Sequence, residues 1–360
     1  MQKKNSLKYT SARRGAHPGV VYPVLVLAGI IWLVLAMGCT GSPGVSGTVQ
    51  NSSVSITDSQ GNTFQLSGPA TRIVCLNSDA AEMLVALGAG GSVVGVTETT
   101  LENTQLAPLL PNATSVGTWN APSLERILGL QPDAIISYSG YRLKNADQFE
   151  RAKIPVIYID CNRLSTIRED ADRLGTLTGH RAEAAKYSAF VDKWEAYVKE
   201  KTGSSALTSV YVEGYSDYMA QGSGSSIDDM VGLAGGSNLA AGQGKSYVKV
   251  TPEWVIKENP PVILKIAPDP LPEGKTLDTY QEQVADRAAF AEVSAVQNKR
   301  VFALSGKVAV GPRAPAGLPV VAAMLHPEDF SETDPLAALN EYAGTFVPGA
   351  NSSQVVSPMP

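Results

Sequence analysis

One fourteen-residue pattern occurs twice in this chain, and it restricts the available folds more than any other feature. The first copy runs from Ser123 through Glu125 to the apolar run Ala134-Ile135-Ile136. The second runs from Thr251 through Glu253 to Val262-Ile263-Leu264. In each copy a hydroxyl residue suited to capping a helix stands two positions before a glutamate, and an acid in the first turn complements the helix dipole. Pro252 suits the first helical position. Pro132 and Pro260 end the helices, and the short apolar runs that follow read as buried strands. Capping alone explains either glutamate taken singly. The same acid at the same place in both copies points further, to two similar lobes that each carry one equivalent carboxylate.

The N-terminal residues describe how those lobes are delivered. Lys3, Lys4, Lys8, Arg13 and Arg14 precede an apolar run from Val24 to Met37, which reads as a signal peptide over 1–38. The run closes with Ala36-Met37-Gly38-Cys39, and a small residue directly before a cysteine resembles a lipobox, making Cys39 the lipidation site and the mature N-terminus. An uncleaved anchor is the rival reading, because Val20 to Gly38 approaches the roughly 20 residues that a spanning helix needs. Either reading holds the body outside the membrane. The Gly- and Ser-rich stretch 39–53 is a flexible tether, and 347–360 has the composition of a disordered tail.

Composition excludes several functions. A net charge of -5 argues against a nucleic-acid partner, which requires a basic stripe. Of the three cysteines, Cys39 is assigned to lipid, while Cys75 and Cys161 lie in or beside apolar strands, either as buried thiols or as a disulfide. The three histidines show no metal-ligand spacing to one another or to cysteine, so neither a protein-built metal site nor a resident cofactor is expected.

Alternation of strand and helix organises the body. Val54, Ile56, Phe64 and Leu66 form a leading hairpin, and Ile73–Leu76, Val93–Val96, the first repeat copy and Val156–Ile159 follow as parallel strands with helices between them. These make an N-terminal α/β lobe over 54–164. From 165 to 203 the strands stop and apolar residues keep helical spacing: Ile167, Ala171, Leu174 and Leu177, then, after Gly179, Ala184, Tyr187, Val191, Trp194 and Val198. Alternation resumes over 204–346 as a second lobe.

The ordered set Arg72-Ile73-Val74-Cys75-Leu76-Asn77-Ser78-Asp79, Gly95-Val96-Thr97, Gly117-Thr118-Trp119, the two repeat copies, Leu233-Ala234-Gly235-Gly236-Ser237-Asn238 and Gly311-Pro312-Arg313 resembles the class III substrate-binding proteins of ABC importers, which carry iron chelates, haem and cobalamin. The resemblance covers residues 72 to 346. It implies an α/β fold of two Rossmann-like lobes joined by a long helix. It also implies that Glu125 and Glu253 dock into basic pockets on the two subunits of an ABC permease dimer that works with ATPase subunits. A ligand is then expected between the lobes, beyond the carboxyl ends of the strands. Trp119 and Tyr247 each stand six residues before one of the paired glutamates and are expected to face one another. Tyr138 and Tyr141 follow one strand, and Tyr215 and Tyr218 another. Of these, the resemblance places Trp119, Tyr138 and Tyr247 against the ligand, and Arg313, ahead of Arg142 and Lys245, is expected to neutralise an anionic one.

The resulting expectation is an extracytoplasmic lipoprotein, not an enzyme, that delivers a metal chelate such as a ferric siderophore or a corrinoid to its permease. A haem or molybdate-type oxyanion receptor, and a two-lobed surface enzyme related to metal-cluster proteins, are the alternatives. Against the enzyme, the cleft loops show no arrangement of nucleophile, histidine base or cysteine cluster. The glycine- and serine-rich turn Gln221–Ser226 lacks a P-loop lysine and reads as a helix cap, and Asp228-Asp229 as a solvated first turn.

Overall fold

The computed structural model describes residues 53–331, 334–348 and 355–358, so the leader, Cys39 and all of the tether but Ser53 lie outside the described residues. Among the described residues, no helix is long and apolar enough to cross a membrane.

Strands β1 (Val54–Thr57) and β2 (Thr63–Leu66) pair antiparallel around a turn held by Asp58, whose carboxylate accepts from the backbone of Gln60, Asn62 and Tyr158. The first lobe follows: β3 (Ile73–Cys75), α1 (Ser78–Ala86), β4 (Val93–Val96), α2 (Glu98–Glu102), β5 (Thr114–Ser115), α3 (Leu124–Leu130), β6 (Ala134–Ser137), α4 (Ala146–Arg151) and β7 (Val156–Tyr158). Its sheet has the order β5-β4-β3-β6-β7, parallel throughout, and β3, β4, β6 and β7 are fully buried runs, as a sheet covered on both faces requires.

Two helices leave this lobe. In α5 (Ile167–Thr178) the four residues at helical spacing are buried, and in α6 (Arg181–Thr202) so are Ala184, Tyr187, Val191, Trp194 and Val198. Gly179 separates the helices at φ +80°, where a side chain would be strained.

The second lobe runs β8 (Thr208–Glu213), β9 (Met219–Gln221), α7 (Ser226–Leu233), β10 (Gly236–Asn238), β11 (Tyr247–Lys249), α8 (Pro252–Glu258), β12 (Val262–Ala267), α9 (Leu277–Ala285), α10 (Ser294–Gln297), β13 (Val301–Ser305), α11 (Gly306–Ala309), α12 (Ala314–Leu325), α13 (Asp334–Thr345) and β14 (Val356–Ser357). The parallel order β10-β8-β12-β13 repeats β4-β3-β6-β7 of the first lobe. One apolar core continues from the first sheet through α5, α6 and α12 to the second.

Two features depart from the sequence reading. Residues 347–360 were expected to be a disordered tail, yet Val356–Ser357 pairs antiparallel with β13, with Val355 and Val356 buried; two apolar residues that complete a sheet edge gain ladder bonds and cover that edge. Asp229 is not a solvated residue, because Arg163 and Ser165 donate to its carboxylate and hold it half-buried. Cys75 and Cys161 are both free and buried.

Candidate functional site

The two repeat copies fold alike down to their caps. Ser123 accepts from the Arg126 N–H at 3.3 Å, and Thr251 from the Trp254 N–H at 3.3 Å. Each helix ends on a left-handed residue, Gln131 at φ 48° and Asn259 at φ 44°. Glu125 and Glu253 are both exposed in the first turn. Hydrogen bonding to its own N–H and to Thr251 holds the Glu253 carboxyl below the usual range.

Between the lobes lies a cavity of about 420 Å³. Its first-lobe wall comes from the start of α1 and the α2 region, and its second-lobe wall from Tyr215, Asp269-Pro270 and the segment Gly306–Pro312. Buried Asn77 positions α1: its carbonyl oxygen accepts from the Asp79 and Ala80 N–H groups, while its amide donates to Ile159 and Asp160 carbonyls beyond β7. Strand ends and helix start are thereby fixed to one another, and Asp79 is set at the cavity wall. Gly311, at φ +82°, lets the opposing backbone approach, since a Cβ there would stand 3.0 Å from Asp79 Oδ1.

Charge distinguishes this cavity. Asp79, Glu82, Glu102 and Asp269 line it, against the single cation Lys307. Lys307 Nζ stands 3.9 Å from Glu82 Oε2 and 3.9 Å from Asp269 Oδ1, without a hydrogen-bond partner among the described residues. Burial, reinforced by the neighbouring Glu82, pushes the Asp79 carboxyl up to about 7. Burial likewise lowers Lys307, although Glu82 opposes it. The sequence shows Asp79 and Glu82 only as helix-start residues, so their shared cavity was not visible there; Asp269 arrives from the loop after β12 and Lys307 from α11.

The aromatic residues form two groups. Trp119 meets Tyr138 edge-on with ring centres 5.9 Å apart, and Tyr141 with centres 5.2 Å apart. A recess of about 220 Å³ next to the main cavity is lined by Tyr215 and Tyr247 together with Ile227 and Val310. Tyr138 and Tyr215 reach the main cavity from opposite lobes. Trp119, Tyr141, Tyr215 and Tyr247 remain exposed. Tyr218 belongs to neither group: it packs on Phe290 beneath the Arg287 guanidinium.

Of the expected cations, none lines the main cavity. Arg142 pairs with Asp147 on the surface, and Arg313 is buried, donating to Glu82 Oε1 at 2.5 Å and to Gln105 Oε1 at 3.0 Å. Tyr342 donates to the same Glu82 oxygen. Arg313 therefore ties the second lobe to α1, and it lines a smaller recess of about 180 Å³ that shares Asp269 and Lys307 with the main cavity. A second buried network holds the Tyr215 loop: Glu213, fully buried, accepts from Tyr211, Lys265, Arg287 and the Tyr218 N–H.

Among the described residues, one trio of possible metal ligands, His326, Glu328 and Asp329, has ligand atoms within 4.8 Å, at the end of α12 and outside the cavity lining. His326 Nε2 lies 2.9 Å from Gly235 O, and Ser205 donates to Asp329, so local structure already engages two of the three.

Comparison with known proteins gives the same architecture. A family model described as periplasmic binding protein matches residues 73–308, from β3 of the first lobe through α5 and α6 to α11 of the second. An uncharacterized ABC transporter substrate-binding lipoprotein of Bacillus subtilis is 26% identical over 290 residues, covering 78% of this chain and 87% of the relative. A vitamin B12-binding protein of Yersinia pestis is 25% identical over 197 residues, 54% of this chain and 69% of that protein. Among solved structures, the molybdate-bound periplasmic protein MolA of Haemophilus influenzae superposes with a TM-score of 0.70 at 21% identity, covering 82% of this chain and 98% of that one.

Proposed function

Because this chain belongs to the periplasmic binding protein family, we propose that it is the extracytoplasmic receptor of an ABC importer, held at the membrane through Cys39, which captures a metal chelate between its lobes and docks through Glu125 and Glu253. The observation that carries this reading is the inter-lobe cavity flanked by two aromatic groups, set beside two identically capped helices that each expose one glutamate. A two-fold permease offers two equivalent basic surfaces, and a pseudo-symmetric receptor can fill both. Exposed ion pairs add little affinity but steer encounter and fix register, which suits a receptor that must release.

The lining bears on the cargo. A small oxyanion placed in this cavity would meet four carboxylates and one lysine, and it would leave most of the 420 Å³ unfilled. Exposed rings outside the cavity mouth favour a ligand larger than the cavity, with a flat or ring-shaped surface to lie on them. The excess of acceptors favours a neutral or cationic chelate rich in amide or hydroxyl donors, as a corrinoid is, over a polyanionic siderophore. Native mass spectrometry with absorbance spectra tests this: the chain from Ser53 onward is incubated separately with cobalamin, haem, a ferric tricatecholate, a ferric hydroxamate and molybdate. Retention of the corrinoid or hydroxamate supports the reading. Selective retention of molybdate or the tricatecholate overturns it.

A further inference from the structure

Eight large apolar side chains are exposed among the described residues: four are the cleft aromatics, and two of the others, Leu128 at 40% and Ile256 at 42%, occupy the same position in the two repeat copies. Leu128 lies three residues after Glu125 on α3, and Ile256 three residues after Glu253 on α8. Residues at that spacing are neighbours on one helix face. Each helix buries its intervening aliphatic residue, Ile127 or Val255, and leaves the next one in solvent. Neither core nor cap needs Leu128 or Ile256 outside, since both helices are already anchored by the buried residue, the N-cap and the left-handed C-cap.

We propose that Leu128 and Ile256 are apolar anchors of the docking surface: each completes, with its glutamate, one of two equivalent contact points, and the partner is a two-fold symmetric permease presenting a basic pocket with an apolar notch one helical turn away on each subunit. The inference rests on the docking role assigned above to Glu125 and Glu253. The duplication identifies the partner's symmetry, because a single asymmetric binder would have no use for the same acid-aliphatic pair on both lobes. The pairing divides the work: the carboxylates act at long range and weaken with salt, whereas the aliphatic contacts act only on touching and do not.

The full-length chain, loaded with cobalamin, is tested for binding to its permease–ATPase complex in lipid nanodiscs, across a range of salt concentrations. Leu128→Ser and Ile256→Ser are each expected to weaken docking about tenfold, and together more, with the salt dependence unchanged and with melting temperature and ligand affinity as in the unaltered protein. Leu128→Met and Ile256→Val are expected to dock normally. Glu125→Gln with Glu253→Gln is expected to weaken docking and flatten its salt dependence. If the glutamine pair weakens docking while the serine pair does not, the apolar anchors are refuted and the docking glutamates stand. If the glutamine pair docks normally, the docking reading itself fails, and this inference with it.

Discussion

Asp79 is where a single residue most affects what the cleft can hold. Its carboxyl sits among walls supplied by both lobes, close to Glu82, and its folded pKa near 7 lies above the unfolded value. The neutral form therefore stabilises the fold: that contribution is complete below about pH 4 and is lost as pH rises through 7. Asp79→Asn is expected to abolish the loss, so its melting temperature should gain on the unaltered protein between pH 5 and pH 8. Thermal melts of the ligand-free proteins across that range measure it, and parallel curves would refute it. Trp119 poses a different question, since its ring is supported edge-on by Tyr138 and Tyr141 and still open to solvent. Trp119→Ala and Tyr247→Ala should each weaken capture by about 1–3 kcal/mol in titration calorimetry if the ligand covers them. Loss at one ring only would show that the ligand lies against a single lobe. Arg313 has partners that the sequence did not disclose. Its family position implied ligand contact, but only the folded chain brings Glu82 and Gln105 to it. Arg313→Ala takes from buried Glu82 its nearest cation, leaving it only the Tyr342 hydroxyl and the more distant Lys307, and is expected to cost about 3 kcal/mol of stability whatever the ligand's charge. Denaturant unfolding checks this, and a selective loss of anionic ligands with normal stability would contradict it.

At the scale of elements, legibility followed local chemistry. The repeat helices could be read because each carries a hydroxyl N-cap, a first-turn acid and a proline just beyond its end, all local signals that the structure uses as such. The helices between the lobes were readable for a second reason: one buried stripe over 22 residues leaves a clear period in α6. Strand β10, Gly236-Ser237-Asn238, has no apolar pattern to find, being defined by its parallel pairing with β8. Helix α12 hides in the opposite way. All twelve of its residues are buried, so it shows no polar face, and Pro319 stands inside it. Strand β14 is two residues long and exists through its pairing with β13. Removing residues 355–360 should uncover that edge and the apolar residues under it, lowering the melting temperature by several degrees. An unchanged melt would mean that the pairing adds nothing to stability.

Across the whole molecule, the cleft charge was illegible because it is assembled from α1, α2, the loop after β12 and the α11 segment, which meet only when both lobes are built. The same assembly governs motion. Beyond the 22 residues of α6, the lobes share a continuous apolar core, the Glu82–Arg313–Gln105 contacts, the Tyr187 hydroxyl donating to Pro312 O and the paired Arg163 and Asp229. A hinge that opened widely would have to break these together, and close-packed interfaces shift in small steps rather than deforming freely. Ligand capture should therefore rotate the lobes by only a few degrees, with selectivity coming from a largely preformed cleft. Small-angle scattering with and without ligand is expected to give radii of gyration that agree to within about 1 Å. As a second readout, dyes placed on exposed Glu125 and Glu253 after cysteine substitution should report nearly constant transfer efficiency. A large compaction on binding, or a marked rise in transfer, would show that the core joining the lobes opens and that the cleft is built by the ligand. The Arg163→Ala variant separates the two cases: loss of one peripheral tie leaves a preformed cleft's affinity within a few-fold of normal, whereas a cleft assembled on binding would lose or gain affinity as its open state is shifted.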